Sequence, residues 1–253
     1  MSTHLTAPRI AGALVVMLAL TFSAAADDLK VTIAMESEGT AAIAGMEQPH
    51  EDYEATMWFG NERFRRDDQD QSIITLLGDE QRVYILNHAE ESYIALDLPV
   101  DFMAVIPEEQ RPMIEQMMEQ MAPEVEVETT DEEDIIGEGE WNARKSLITV
   151  TAPMGITITH EVWLTDDIDV ERRGYDEATR ALSGMSPIGG DWVEKLSNLE
   201  GFPVLTETHT EVMGRETVSR ERVVNVEETT APEGTYELPE GYTEDAMDVF
   251  GAP

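Results

Sequence analysis

From Leu29 to Glu36 the chain alternates, with Leu29, Val31, Ile33 and Met35 on one side and Lys30, Thr32, Ala34 and Glu36 on the other. A period of two residues is that of a half-buried strand. Between Tyr53 and Leu96 short apolar-rich runs recur as ATMWF, RFR, SIITLLG, RVYILN and SYIAL. Gly60-Asn61, Asp67 to Asp70, Gly78-Asp79 and His88 to Glu90 separate them. Those separators are turn formers, so the spacing predicts a meander of antiparallel hairpins. Trp141 to Thr151 and Ile156 to Thr165 read as two strands around Pro153-Met154-Gly155. Phe202 to Val212 and Glu216 to Val226 pair around Met213-Gly214-Arg215. Gly39 to Asp52, rich in small residues, reads as a loop or flap, and the acidic stretch Glu124 to Asp134 as an edge strand passing into a solvated loop.

The period changes between Pro99 and Ala122. Pro107 suits a first helical turn ahead of Glu108 and Glu109, but Pro112 would clash inside that same helix. The pattern therefore predicts a kink or two short helices, the second starting near Pro112 and ending before Pro123. Within it Ile114, Met117, Met118 and Met121 fall at i, i+3, i+4 and i+7, with Glu115, Gln116, Glu119 and Gln120 opposite, so a methionine stripe faces inward. Glu171 to Met185 and Asp191 to Leu199 read as further short helices, and the chain after Thr229 as loose. One continuous curved antiparallel sheet with helices over its concave face, an α+β half-barrel spanning 27–242, is the architecture this order implies, with a helical insert at about 99–122 and a loose C-terminal tail at 243–253.

The N-terminus adds a compartment. Arg9 is followed by an uncharged apolar run from Ile10 to Phe22 and then by Ser23-Ala24-Ala25-Ala26, the pattern of a secretory signal peptide over 1–26, cleaved near Ala26. The run is shorter than the roughly 20 residues that span a membrane. The expected mature chain is a soluble periplasmic or secreted protein without a transmembrane anchor. With no cysteine there is no disulfide and no thiol nucleophile.

Charge narrows the partners. Lys and Arg number 16 against 53 Asp and Glu, for a net charge of −37, and losing a leader whose one charged residue is Arg9 makes the balance one unit more negative. Such a field repels nucleic acid and anionic membranes. The only lysines are Lys30, Lys145 and Lys195. A carboxylate-rich, lysine-poor surface fits surroundings of high, halophilic salt, where self-repulsion is screened; it equally fits carboxylates that simply maintain solubility.

Several residues at characteristic spacing carry a resemblance. They are Trp58-Phe59-Gly60-Asn61-Glu62-Arg63-Phe64-Arg65-Arg66-Asp67, Ile73-Ile74, Arg82-Val83-Tyr84-Ile85-Leu86-Asn87 and Ser92-Tyr93 in the first half. In the second they are Gly139-Glu140-Trp141-Asn142-Ala143-Arg144-Lys145, Glu161-Val162-Trp163-Leu164-Thr165, Gly201-Phe202-Pro203-Val204 and Pro239-Glu240-Gly241-Tyr242. With these the chain resembles the DUF4412 family of exported bacterial proteins, which is similar to the periplasmic lipoprotein carriers of LolA/LolB-like fold. The resemblance implies a half-barrel whose concave side, covered by helices, holds an apolar cavity. It carries over no catalytic residue.

Candidate chemistry is sparse. The methionine stripe reads as core packing, as a deformable lining for an acyl chain, or as soft-sulfur ligation of copper(I), for which no neighbouring histidine is at hand. Asp67-Asp68-Gln69-Asp70 and Asp131-Glu132-Glu133-Asp134 lack the spacing of a calcium loop. His50, His88, His160 and His209 show no zinc-ligand spacing, and the last two alternate onto strand faces as if solvated. Neither a Gly-x-Ser-x-Gly elbow nor a phosphate-cradling loop is present, although paired carboxylates of a hydrolase would leave no motif. Trp58, Tyr84, Trp141 and Trp163 are placed to line the concave side, or else to pack across strands.

The expectation is a non-enzymatic exported protein, without metal or cofactor, that binds a lipid, acyl chain or lipidated partner. Its candidate pocket residues are Met103, Ile114, Met117, Met118, Met121, Trp58, Tyr84, Trp141 and Trp163. The alternative is an envelope interaction or scaffold protein with a filled core, an acidic working surface and an envelope protein partner.

Overall fold

The first alternating run forms β1 (Asp28–Gly39) in a computed structural model, which describes residues 28–39, 42–43, 46–47, 52–99, 108–153, 155–184, 195, 197–212 and 214–245. β2 (Ala42–Ile43) and β3 (Met46–Glu47) pair with each other as a separate two-stranded sheet. The predicted meander follows as β4 (Tyr53–Gly60), β5 (Arg63–Asp67), β6 (Gln71–Leu76), β7 (Arg82–Asn87) and β8 (Ser92–Asp97). The second half contributes β9 (Glu124–Ile136), β10 (Trp141–Ala152), β11 (Ile156–Thr165), β12 (Phe202–Val212) and β13 (Arg215–Thr229), and β14 (Thr243–Glu244) closes the series. Gly155 and Gly214 take φ of +73° and +78° at the two second-half turns, a conformation that glycine adopts without Cβ strain.

Twelve strands form one open sheet in the order β14-β8-β7-β6-β5-β4-β1-β13-β12-β11-β10-β9. β1 lies between β4 and β13, so the N-terminal strand stitches the two meanders together. The expectation of a purely antiparallel sheet needs correction, because β14 runs parallel to β8 and the sheet is mixed. Bulges interrupt the register at Thr32/Ile33, Arg144/Ser146 and Trp163/Leu164, where an extra residue bends the strand and raises its twist.

One face, here called inner, carries the main core. Val31 and Ile33 of β1, Ala55, Met57 and Phe59 of β4, Phe64 of β5, Ile73 of β6, and Val83 and Ile85 of β7 are buried there at every second position. Each fully buried side chain of this size stabilises the fold by about 1.5–3 kcal/mol. Helix α2 (Arg173–Gly184), within the predicted Glu171 to Met185, packs on β5, β6 and β7 through Tyr175, Ala178, Ala181 and Leu182. Its alanines permit close approach. At Gly174 an added Cβ would stand 2.6 Å from the Phe64 Cβ, so only glycine fits where α2 meets β5. Phe64 in turn meets Tyr175 edge-on at 5.8 Å and Phe59 at 5.1 Å.

The outer face of the same strands is also covered. Ile74, Tyr84 and Leu86 are buried beneath Tyr236, Leu238 and Tyr242, so the chain beyond Thr229, read from the sequence as loose, is a strap held to the sheet as far as Asp245. Two hydroxyls and a backbone amide anchor it: Tyr236 donates to Asp28 Oδ1 at 2.9 Å, the Ala231 amide donates to Asp28 Oδ2 at 3.0 Å, and Tyr242 Oη is 2.7 Å from His88 Nδ1. The acidic stretch read as ending in a loop is instead a 13-residue edge strand, β9. A row of carboxylates along an exposed edge opposes pairing with other chains. Helix α1 (Arg111–Met121) starts beside Pro112, as the proline spacing predicts. Of the helix expected near Pro107, only residues 108–110 are described, and they form a turn that leads into α1; most of the helix expected at Asp191 to Leu199 lies outside the described residues.

Candidate functional site

Arg66 is the inward residue between Phe64 and Asp68 on β5 and its exit, a strand position that would ordinarily hold an apolar side chain. It is tolerated because carboxylates meet it. Its Nε lies 2.9 Å and its Nη2 3.2 Å from the two oxygens of Asp68, while Nη1 is 3.5 Å from Glu221 Oε2 on β13. Met35 Sδ stands 3.9 Å from Nη2. Burial alone would lower the guanidinium's affinity for its proton, but Glu221 and Asp68 outweigh it and hold the group charged, above its ordinary range. Two hydroxyls stand in the same field. Burial raises the Tyr175 phenol above its usual range, with Glu221 adding to it, and burial followed by Asp68 does the same for Tyr53.

Across from Arg66, β11 and β12 place His160 and Thr208 opposite one another, with ring Nδ1 2.9 Å from Thr208 Oγ1. Desolvation lowers His160 to about 4, so the imidazole is neutral at neutral pH. The solvated position expected for His160 is therefore corrected: it is part-buried and faces inward.

Arg66, Asp68, Glu221, Tyr175, His160 and Thr208 line a half-open pocket of about 350 Å³ between α2 and the sheet. Val162, Leu182 and Pro203 supply apolar wall, and Thr179, Thr206 and Thr208 add hydroxyls beside Arg66, Asp68, Glu221, His160 and Tyr175. A recess of about 20 Å³ shares Arg66, Tyr175, Pro203, Thr206 and Glu221 with it and reaches Ile33, Met57 and Val223 of the core. The volume falls within the range of small-molecule sites. Apolar wall with a cluster of polar groups suits a molecule having a greasy body and a polar end. A second hollow of about 430 Å³, by contrast, is lined mostly by charged groups, among them Glu133, Asp134, Arg144, Asp166 and Asp167.

The sequence-predicted residues are dispersed. Met103 lies outside the described residues, as do the side chains of Ile114, Met117, Met118 and Met121, although α1 itself is formed and its polar residues Glu115, Gln116 and Gln120 are exposed. Trp58 is not on the inner face: Met57 and Phe59 take the inward places on either side, and its ring lies under the Lys30 ammonium at 5.5 Å. Tyr84 is likewise outward, because Val83 and Ile85 point to the core, and it packs at 5.9 Å from Tyr93 under the strap. Trp141 is buried in the main core and Trp163 packs against it with Lys145 over its ring at 5.8 Å, but neither lines the cavity. Sequence reasoning missed Arg66, Tyr175, His160, Thr208 and Glu221. Arg66 left a signal, a cation at an inward strand position in a chain with few cations.

The acidic run at Asp67 to Asp70 is used internally, Asp67 by Arg65 at 2.6 Å and Asp68 by Arg66. Among the described residues no group of three or more His, Asp or Glu is arranged to hold a metal ion. Nor is any described helix long and apolar enough to cross a membrane.

No family model matches the chain, and no curated protein matches it. Among 14 matching chains of solved structures is the crystal structure of MucB, at 13% identity and a TM-score of 0.33. The match covers 85% of this chain and 59% of the MucB chain, so this chain spans less than two thirds of that protein's length.

Proposed function

We propose that the chain is an exported binding protein for a hydrophobic ligand, an acyl chain or lipid, and that the hollow beneath α2 is its seat. The observation that carries this reading is the cavity of about 350 Å³ bounded by Val162, Leu182 and Pro203 on one side and by hydrogen-bonding groups on the other. A cleft of this volume, open on one side and apolar on part of its wall, has the form of a small-molecule site. Burial of the ligand's apolar surface at about 25 cal/mol per Å² supplies the driving force. On this reading the bulged sheet is a half-barrel wall.

Native mass spectrometry and lipid extraction of protein from the exported fraction test the proposal. A co-purifying lipid is expected in the natural chain and its loss in Leu182→Trp and Val162→Trp, which fill the hollow. Folded variants with unchanged lipid content would refute this seat. If Met117→Glu with Met121→Glu strips the lipid while the tryptophan variants keep it, the ligand sits under α1 instead.

A further inference from the structure

Resting on that reading, we infer that the cavity selects acyl compounds whose polar end is uncharged, such as an ester or alcohol, and disfavours acyl anions. Among the described residues Arg66 is the one cation lining the pocket, and each of its three guanidinium nitrogens already faces a partner: Nε and Nη2 meet Asp68, Nη2 also meets Met35 Sδ, and Nη1 meets Glu221. Asp68 holds the Nε/Nη2 side of the guanidinium, and at the Nη1/Nη2 end a carboxylate or phosphate arriving from solution must compete with Glu221 at 3.5 Å and against its charge.

Charge balance points the same way. With one guanidinium and two carboxylates among the described residues of the lining, and His160 neutral, that wall is net negative by one unit. An anion beside it would be repelled, and the whole chain, at −37, adds to that field. An uncharged head meets no such penalty. The hydroxyls of Tyr175 and Thr206 supply both donors and acceptors for it. The selectivity is thus set by Asp68 and Glu221, which close off the arginine.

Competition of monomyristoylglycerol and myristate, matched in acyl chain, against a neutral polarity-sensitive dye on delipidated full-length protein tests this at about pH 8. The glyceride is expected to displace the dye at a concentration at least about tenfold lower than myristate does, a modest fraction of what one unpaired charge costs on burial. Asp68→Asn with Glu221→Gln turns the lining net positive and frees the guanidinium, so myristate should gain about tenfold or more while the glyceride changes little. Glu221→Gln alone should give an intermediate gain and serves if the double variant does not fold. Equal affinities in the natural chain, a tighter hold on myristylamine than on the glyceride, or no gain for myristate in folded variants would each overturn the inference. If none of these compounds displaces the dye, the cavity reading itself fails.

Discussion

Asp28 is the second residue after the expected cleavage point, yet its side chain is 1% exposed. It collects Tyr236 Oη at 2.9 Å, the Ala231 amide at 3.0 Å and Arg63 Nη2 at 3.3 Å, so a single carboxylate ties β1, β5 and the strap together. Its removal strands three donors. Asp28→Ala is expected to lower unfolding free energy by roughly 2–4 kcal/mol, against about 1 kcal/mol for Tyr236→Phe, as read from urea midpoints. Similar costs for the two would contradict a hub. His160 makes a pH prediction. Its folded value near 4 lies below the ordinary 6.5, so the unfolded chain binds more protons between those limits. Stability is fully present above about 6.5 and declines as pH falls toward 4, by about 3 kcal/mol at most from this residue. His160→Gln should flatten that slope in urea titrations across the window, and an unchanged slope would show that the ring is not buried in solution.

At the scale of elements, α2 sits as low on the sheet as it does because Gly174 leaves no Cβ against Phe64. Gly174→Ala gains helix propensity but must lift the helix, so it is expected to cost about 1–3 kcal/mol and to weaken ligand retention. A neutral or stabilising result in thermal melts would refute the close contact. Strand existence and hairpin turns were legible because period two and turn chemistry are local properties. The faces were not legible. SIITLLG and RVYILN are nearly continuous apolar runs, the mark of strands covered on both sides. The second cover is the strap, whose Tyr236, Leu238 and Tyr242 are spaced without regular period in a stretch rich in Pro, Gly and Glu. With no outer cover in view, the sequence leaves open whether Trp58 and Tyr84 line the concave side or pack across strands. The cavity was illegible for a related reason: Arg66, His160, Tyr175 and Glu221 come from β5, β11, α2 and β13, and only the pairing of β1 with both β4 and β13 brings them together.

For the whole molecule, the governing facts are a sheet of twelve strands, a net charge of −37 and one helix laid over a hollow. The charge is spread over exposed positions such as those of β9, where self-repulsion opposes the compact state. Unfolding midpoints are therefore expected to rise as salt is added to dilute buffer, because the screening length falls from about 30 Å to about 3 Å between 0.01 M and 1 M. A flat salt profile would remove repulsion as a factor in this fold. Solubility alone would then explain the acidity. The hollow remains the central claim, and methyl NMR of Val162 and Leu182 during titration with monomyristoylglycerol tests it most directly. Saturable shifts of both methyl sets, abolished in Leu182→Trp for the remaining Val162 signal, are the expected result; methyls that stay fixed while the glyceride binds elsewhere, or does not bind, would contradict it.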